Sequence, residues 1–214
     1  MAGNTTKQIL KDKDIREPLF FFLESRYGKI RILEEKVTGR SRADVVMITP
    51  SVLYGIEIKS DADTYVRLEA QVRYYDLYYD RNIVVVGSSH AAHIREHVPE
   101  WWGIISVELI DGEPDFYVIR EADRNPKTDA ARKITILWRT ELNRLLLANR
   151  LPAYRGKSKR FVQQKLLAMV PDEILWRDVT EELFERDYNT IEAEIEAYRR
   201  RKKRPESKTG MLRM

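Results

Sequence analysis

The 214-residue chain contains no cysteine, which excludes disulfides and thiolate metal sites and fits a reducing compartment. No apolar run reaches the roughly 18 residues that a membrane-spanning helix needs. The opening residues, MAGNTTKQILKDKD, lack the apolar stretch of a signal peptide. These absences predict a cytoplasmic protein, neither secreted nor membrane-inserted. Acid is also scarce in one stretch: Arg132 to Lys165 holds ten Lys/Arg and a single acid, Glu141. What is present, 43% hydrophobic and 34% charged residues, suffices for one well-buried domain, with or without a small appendage.

The net charge of +4 is unevenly placed. Residues 1–126 carry 17 Lys/Arg against 21 Asp/Glu, a net of −4, and residues 127–214 carry 21 against 13, a net of +8. An acidic half joined to a basic half suggests a metal-binding segment attached to a polyanion-binding one, with a solvated basic surface as the alternative. The polar stretch Asp123 to Asp129, which contains Pro126, is the best boundary. It separates residues 1–126 from a basic helical region, 127–198, and a basic tail, 199–214, expected to be disordered.

The central stretch is Arg42 to Lys59, RADVVMITPSVLYGIEIK. Glu57 and Lys59 alternate with Ile56 and Ile58, so a period-2 strand sends the two charges to one face and the isoleucines to the other. Asp44 opens the preceding strand, and Thr49-Pro50-Ser51 reads as the turn between them. A hairpin folded about Pro50 and Ser51 sets residue 44 opposite residue 57, where Cβ atoms lie roughly 4.5–5.5 Å apart. Two carboxylates that close repel unless a proton or cation intervenes. Mg²⁺ suits such a pair, because it takes one or two carboxylates and fills its remaining positions with water and phosphate oxygens. A lysine beside it can orient the attacking water and offset charge in a phosphoryl transition state. An exposed cross-strand ion pair is the competing account.

Around this hairpin, residues 14–27 read as an amphipathic helix with Asp14 and Glu17 as a capping box, and 29–37 as a strand. Residues 64–79 read as a helix whose Asp63, Arg67, Gln71 and Tyr75 form one polar stripe. The apolar run 82–87 suits a central strand. A short helix at 90–97 and strands at 104–109 and 115–120 follow. Helices are expected at 130–149 and 158–169, with one or two more in 172–198. The sum is an α/β fold with an αβββαβ core, a mixed sheet and an all-helical C-terminal region.

These residues resemble the PD-(D/E)XK nuclease superfamily, the restriction-endonuclease-like fold. Asp44, Glu57-Ile58-Lys59 and the following helix stand in that family's order. Gln71-Val-Arg-Tyr-Tyr75 is similar to the Gln-x-x-x-Tyr motif of the RecB-like branch. The signature Arg42-Ala-Asp44, Glu57 to Thr64, Arg67-Leu68 and Gln71 is similar to small bacterial and phage members. The resemblance covers about residues 12–110. It implies that Asp44, Glu57 and the Ile58 carbonyl bind Mg²⁺ or Mn²⁺, that Lys59 activates the water, and that Gln71 and Tyr75 steady the scissile phosphate and the lysine. Ala43 stands where the family's name-giving proline would be. An additional acid from the first helix or strand is also implied, and Glu17 and Glu35 both qualify.

Leu145-Leu146, Leu151-Pro152, Gly156, Lys157 and the helix Lys159 to Leu166 resemble the helix–loop–helix of SAP-type DNA-binding modules. This implies Lys157, Lys159 and Arg160 at a helix start facing phosphate, with Arg155 in the loop before them, and a solvated helix surface is the alternative. Together these features lead to the expectation of a Mg²⁺- or Mn²⁺-dependent deoxyribonuclease in DNA repair, recombination or mobile-element processing, with DNA as partner. A catalytically silent DNA-binding or assembly module is the main alternative, and a phosphohydrolase of free nucleotides a smaller one. Oligomeric state has no signal in the sequence. Three features compete for attention. His90, His93 and His97 share a face if helical, but no Cys or acid pattern supports Zn²⁺. Trp101-Trp102 could stack bases or pack in a core. The 199–204 basic run could bind nucleic acid or keep the tail solvated.

Overall fold

In the computed structural model, the structure describes residues 10–38 and 41–186, without the side chains of 35–38 and 41. The chain divides into two compact units, Met1–Phe184 and Glu185–Met214. The expected tail, 199–214, lies outside the described residues, as do residues 187–198.

Six strands form one mixed sheet in chain order: β1 (Arg31–Thr38), β2 (Ser41–Ile48), β3 (Leu53–Lys59), β4 (Arg81–Gly87), β5 (Gly103–Ile110) and β6 (Glu113–Arg120). β1, β2 and β3 pair antiparallel, β3, β4 and β5 parallel, and β5 with β6 antiparallel. Helix α1 (Asp12–Tyr27) precedes β1, and α2 (Leu68–Tyr78) makes the crossover that a parallel β3–β4 pair requires. After β6 come α3 (Ala130–Lys133), α4 (Arg139–Ala148), α5 (Lys159–Met169) and α6 (Asp172–Phe184).

Strand alternation separates two cores. Tyr54, Ile56 and Ile58 of β3, with Val45, Met47, Ile83, Val85 and Ile105, pack against the Ile15, Leu19 and Leu23 stripe of α1. The opposite face, with Val46, Leu53, Val84, Val86 and Ile104, is covered by α2 and the C-terminal helices. All seven residues of β3 are buried, as an apolar central strand covered on both sides should be. The polar segment 123–129 is a connection inside the first unit, and residues of α4, α5 and α6 share one buried cluster with the sheet.

Several local expectations are corrected. Asp14 is the third helical residue of α1, its carboxylate accepting from Lys11 N, and not the cap. The helix expected from 64 begins as a 3₁₀ turn, Tyr65–Arg67, before α2. Asp63 leaves the polar stripe, because its carboxylate takes the Ser60 N–H and hydroxyl. The helix expected over 130–149 breaks at Leu137, which is extended. The β-branched run Ile134-Thr135-Ile136 is a weak helix former, and Glu141 turns back to accept from Trp138 N at 2.5 Å, starting α4 afresh. Residues 90–97 hold only a 3₁₀ turn, Ile94–Glu96.

Candidate functional site

The hairpin register is Val45 opposite Ile56 and Val46 opposite Gly55, which continues to Asp44 facing Glu57. Gly55, Glu57 and Lys59 point to the α2 side. At Gly55 a Cβ would collide with the Tyr79 and Tyr75 rings. The absent side chain therefore lets α2 lie close enough for Tyr75 to reach Glu57. Glu57 and Lys59 are buried, at 1% and 5% exposure. Lys59 Nζ lies 2.5 Å from Glu57 Oε1, and Gln71 Nε2 donates to the same oxygen. Tyr75 donates its hydroxyl proton to Glu57 Oε2 at 2.7 Å and accepts from Asp44 N at 3.2 Å. Asp44 Oδ2 accepts from Ile58 N at 2.9 Å. One tyrosine hydroxyl thus joins the backbone of Asp44 to the carboxylate of Glu57.

This cluster is short of positive charge. Burial pushes the Asp44 carboxyl from its ordinary 3.8 up to about 7, and the Glu57 charge adds to the rise. The Ile58 N–H and the Lys59 ammonium act against it without cancelling it. Tyr75 is held well above its ordinary value, first by burial and then by the charges of Glu57 and Asp44. A group of anions whose protonation is favoured this way is a site that gains from a cation.

The donors fit a small, hard divalent cation. Asp44 and Glu57 are near enough for the Glu57 charge to raise the Asp44 carboxyl. Gln71, whose Nε2 donates to Glu57, keeps its Oε1 buried with no hydrogen-bond partner, an open oxygen acceptor beside Glu57. Among the described residues no group of three or more His, Cys, Asp or Glu is placed to hold a metal. Carboxylate and amide oxygens are hard ligands of the kind that Mg²⁺ takes, an ion that keeps several waters and uses one or two carboxylates.

The sequence-derived residues are placed as follows. Asp44, Glu57, Lys59, Gln71 and Tyr75 are brought together. Ile58 has its N–H on Asp44 and its side chain in the opposite core. Glu17 is not part of the cluster: it is exposed and lines a cleft with Lys13, Pro18, Leu109 and Pro114, beside the β5–β6 turn. The 100° step of a helix turns it away while its neighbour Arg16 faces Asp44. The Glu35 side chain lies outside the described residues. Arg155, Lys157, Lys159 and Arg160 are exposed on the loop before α5 and on its first turn. That turn is capped by Ser158.

Four of the ten basic residues in the 132–165 stretch do structural work. Arg139 donates to the carbonyls of Tyr154, Lys157 and Ser158 and so shapes the loop. Lys133 is buried on Asp80 at 2.6 Å, Arg144 pairs with Glu182, and Lys159 Nζ donates to Thr135 O. Counting charges along the chain overstates the free basic surface for that reason.

Sequence reasoning missed Arg16. Its Nη2 lies 3.7 Å from Asp44 Oδ1 and its Nη1 3.3 Å from Asp44 O, while Nε bonds Asp12 at 2.7 Å and Nη1 lies 3.6 Å from Glu34. The available signal was the i, i+4 pair Asp12–Arg16, flanking the Ile15 and Leu19 core positions. The three histidines and two tryptophans have other partners. Tyr65 packs between His90 and His97, at 4.8 and 4.2 Å between ring centroids, and His93 approaches Glu96. Both indole N–H groups of Trp101 and Trp102 donate to Asp76 Oδ1. A cavity of about 640 Å³, bordered by Asp80, Arg81, Arg124, Lys133 and Trp176, lies by the start of β4, at the other end of that strand from Val86, the partner of Lys59.

The family model described as bacteriophage P4 protein cII matches residues 22–209 of the chain. No curated protein and no solved structure matches it.

Proposed function

The chain belongs to the bacteriophage P4 protein cII family, and we propose, on the geometry around Glu57 rather than on that membership, that it is a metal-dependent nuclease that hydrolyses DNA phosphodiester bonds. The observation that carries the proposal is the meeting of Asp44, Glu57, Lys59, Gln71 and Tyr75 at the end of β3, from three separate elements. The element order α1-β1-β2-β3-α2-β4 follows the αβββαβ order of the PD-(D/E)XK nucleases, whose motifs these residues resemble. That likeness supports the proposal.

In this reading Asp44 and Glu57 would hold Mg²⁺ or Mn²⁺, which would supply polarisation of the phosphate and a more acidic water. The chain's own contribution is positioning. Gln71, Tyr75 and Lys59 fix both oxygens of Glu57, so its carboxylate costs no reorganisation at the moment of reaction. Lys59, buried and held on Glu57, is the ammonium placed to orient the attacking water and offset charge on the phosphate. The exposed cations Arg155, Lys157 and Arg160 would add sequence-independent phosphate contacts.

Linear, circular and branched DNA incubated with Mg²⁺ or Mn²⁺ should be cleaved by the wild-type chain and spared by Glu57→Ala and Lys59→Ala. Wild-type protein that leaves all three forms intact with both metals refutes the proposal. One observation favours a second reading, a catalytically silent DNA-binding or assembly module: three protein donors already satisfy Glu57 without a cation. DNA binding indifferent to metal, with no cleavage, would select it.

A further inference from the structure

Where the family resemblance implies an acid from the first helix or strand, α1 presents a cation. The Arg16 guanidinium is largely buried, at 16% side-chain exposure, and meets acid on three sides. Asp12 holds its Nε at 2.7 Å, Glu34 lies 3.6 Å from Nη1, and Asp44 Oδ1 lies 3.7 Å from Nη2. The Asp44 contact is the longest of the three. Asp44 Oδ2 is committed to the Ile58 N–H, so Oδ1 is the oxygen left for a metal, and it is the one that Arg16 faces.

Resting on the metal-site reading above, we propose that Arg16 is an internal counter-ion, which flanks Asp44 in the metal-free protein and competes with the divalent cation for Oδ1. When the ion binds, Arg16 gives up its longest contact and stays neutralised by Asp12 and Glu34. Neither charge is left unpaired in either state, which is the condition for an exchange of partners at low cost. Arg16 is a positioning residue here, acting on the metal through Asp44. It keeps the half-buried Asp44 carboxylate tolerable beside the buried Glu57 before the cation arrives and lowers the affinity with which that cation is held.

A unit positive charge a few ångströms from the ligand oxygens, in a medium between protein surface and water, weakens cation binding by roughly tenfold. Calorimetric titration of the full chain with Mn²⁺, with no DNA present, reads this directly at one fixed pH. Arg16→Ala and Arg16→Gln should bind Mn²⁺ roughly five- to tenfold tighter than wild type, Arg16→Lys should stay near wild type, and Glu57→Gln should lose binding. In metal-free buffer the two neutral variants should melt at a lower temperature and regain more than wild type on adding Mn²⁺. A purely structural arginine gives weaker or unchanged binding in every folded variant, and that result overturns the inference while leaving the metal site standing. If wild type and all variants fail to bind Mn²⁺, the metal site itself is refuted, and the counter-ion role with it.

Discussion

Replacing Asp44 with asparagine should stabilise the protein at alkaline pH and leave it unchanged or slightly weaker in acid. The carboxyl sits at about 7 in the folded chain against an ordinary 3.8. Between those values the native state binds more protons at this position than the unfolded state does. Stability contributed by this group is therefore greatest below pH 4, declines as pH rises through the folded pKa, and levels off above it. At about 1.4 kcal/mol per unit the full shift corresponds to roughly 4 kcal/mol, an upper bound that relaxation and water entry reduce to about 1–3 kcal/mol. Asparagine keeps an oxygen for the Ile58 N–H and carries no charge at any pH. It forfeits the Arg16 contact at 3.7 Å, worth up to about 1 kcal/mol at a partly exposed position.

Urea unfolding followed by tryptophan fluorescence, at pH 5, 6, 7 and 8 in EDTA, measures both proteins. Other titrating groups are common to the two and cancel in the difference. The expected difference favours Asp44→Asn by about 1–3 kcal/mol at pH 8, equivalent to roughly 3–10 °C for a chain of this size, and shrinks to zero or reverses at pH 5. Adding Mg²⁺ at pH 8 should raise the wild-type midpoint and leave the variant's in place, because only the wild type keeps both carboxylates. A difference that is flat in pH, or one that grows towards acid, refutes the account in which burial and the Glu57 charge raise Asp44.

Two further substitutions test how the cluster is supported. Gly55→Ala puts a methyl group against the Tyr75 and Tyr79 rings and should cost about 1–3 kcal/mol by thermal unfolding, with metal binding weakened because Tyr75 is pushed off Glu57; an unchanged melting temperature would mean that α2 shifts freely. Asp76→Ala leaves the indole N–H groups of Trp101 and Trp102 and the Asn82 amide without their shared acceptor and should cost about 3 kcal/mol or more, whereas a loss below 1 kcal/mol would show that water replaces the carboxylate.

The parts of the fold that were legible in the sequence are those governed by short-range periodicity. The alternation Ile56-Glu57-Ile58-Lys59 and the turn at Pro50-Ser51 set the hairpin register, and the observed Val45–Ile56 pairing follows it. The uninterrupted apolar run before Gly87 became the buried strand β4. Helix interiors were harder wherever a local competitor acted. Trp138 N bonded to the Glu141 carboxylate starts a new helix inside what reads as a single leucine-rich one. The Ser60–Asp63 turn likewise takes an acid out of the α2 stripe.

The candidate site divides along the same line. Asp44, Glu57, Lys59, Gln71 and Tyr75 sit on neighbouring elements whose spacing in the chain fixes their spacing in space. Arg16 reaches Asp44 from 28 positions away, through the packing of α1 on the far face of the sheet, and no pattern in the chain encodes that contact. The family resemblance implies an acid from the first helix or strand, at Glu17 or Glu35, whereas the residue of α1 that meets Asp44 is the cation Arg16. An arginine set against the half-buried Asp44, next to the buried Glu57, partly neutralises the cluster from within. Under the proposed metal-site reading, the affinity for an external cation would depend on α1 as well as on β2 and β3. A substitution in the first helix, outside every motif of the hairpin, is thus expected to move metal binding while leaving all five clustered side chains in place.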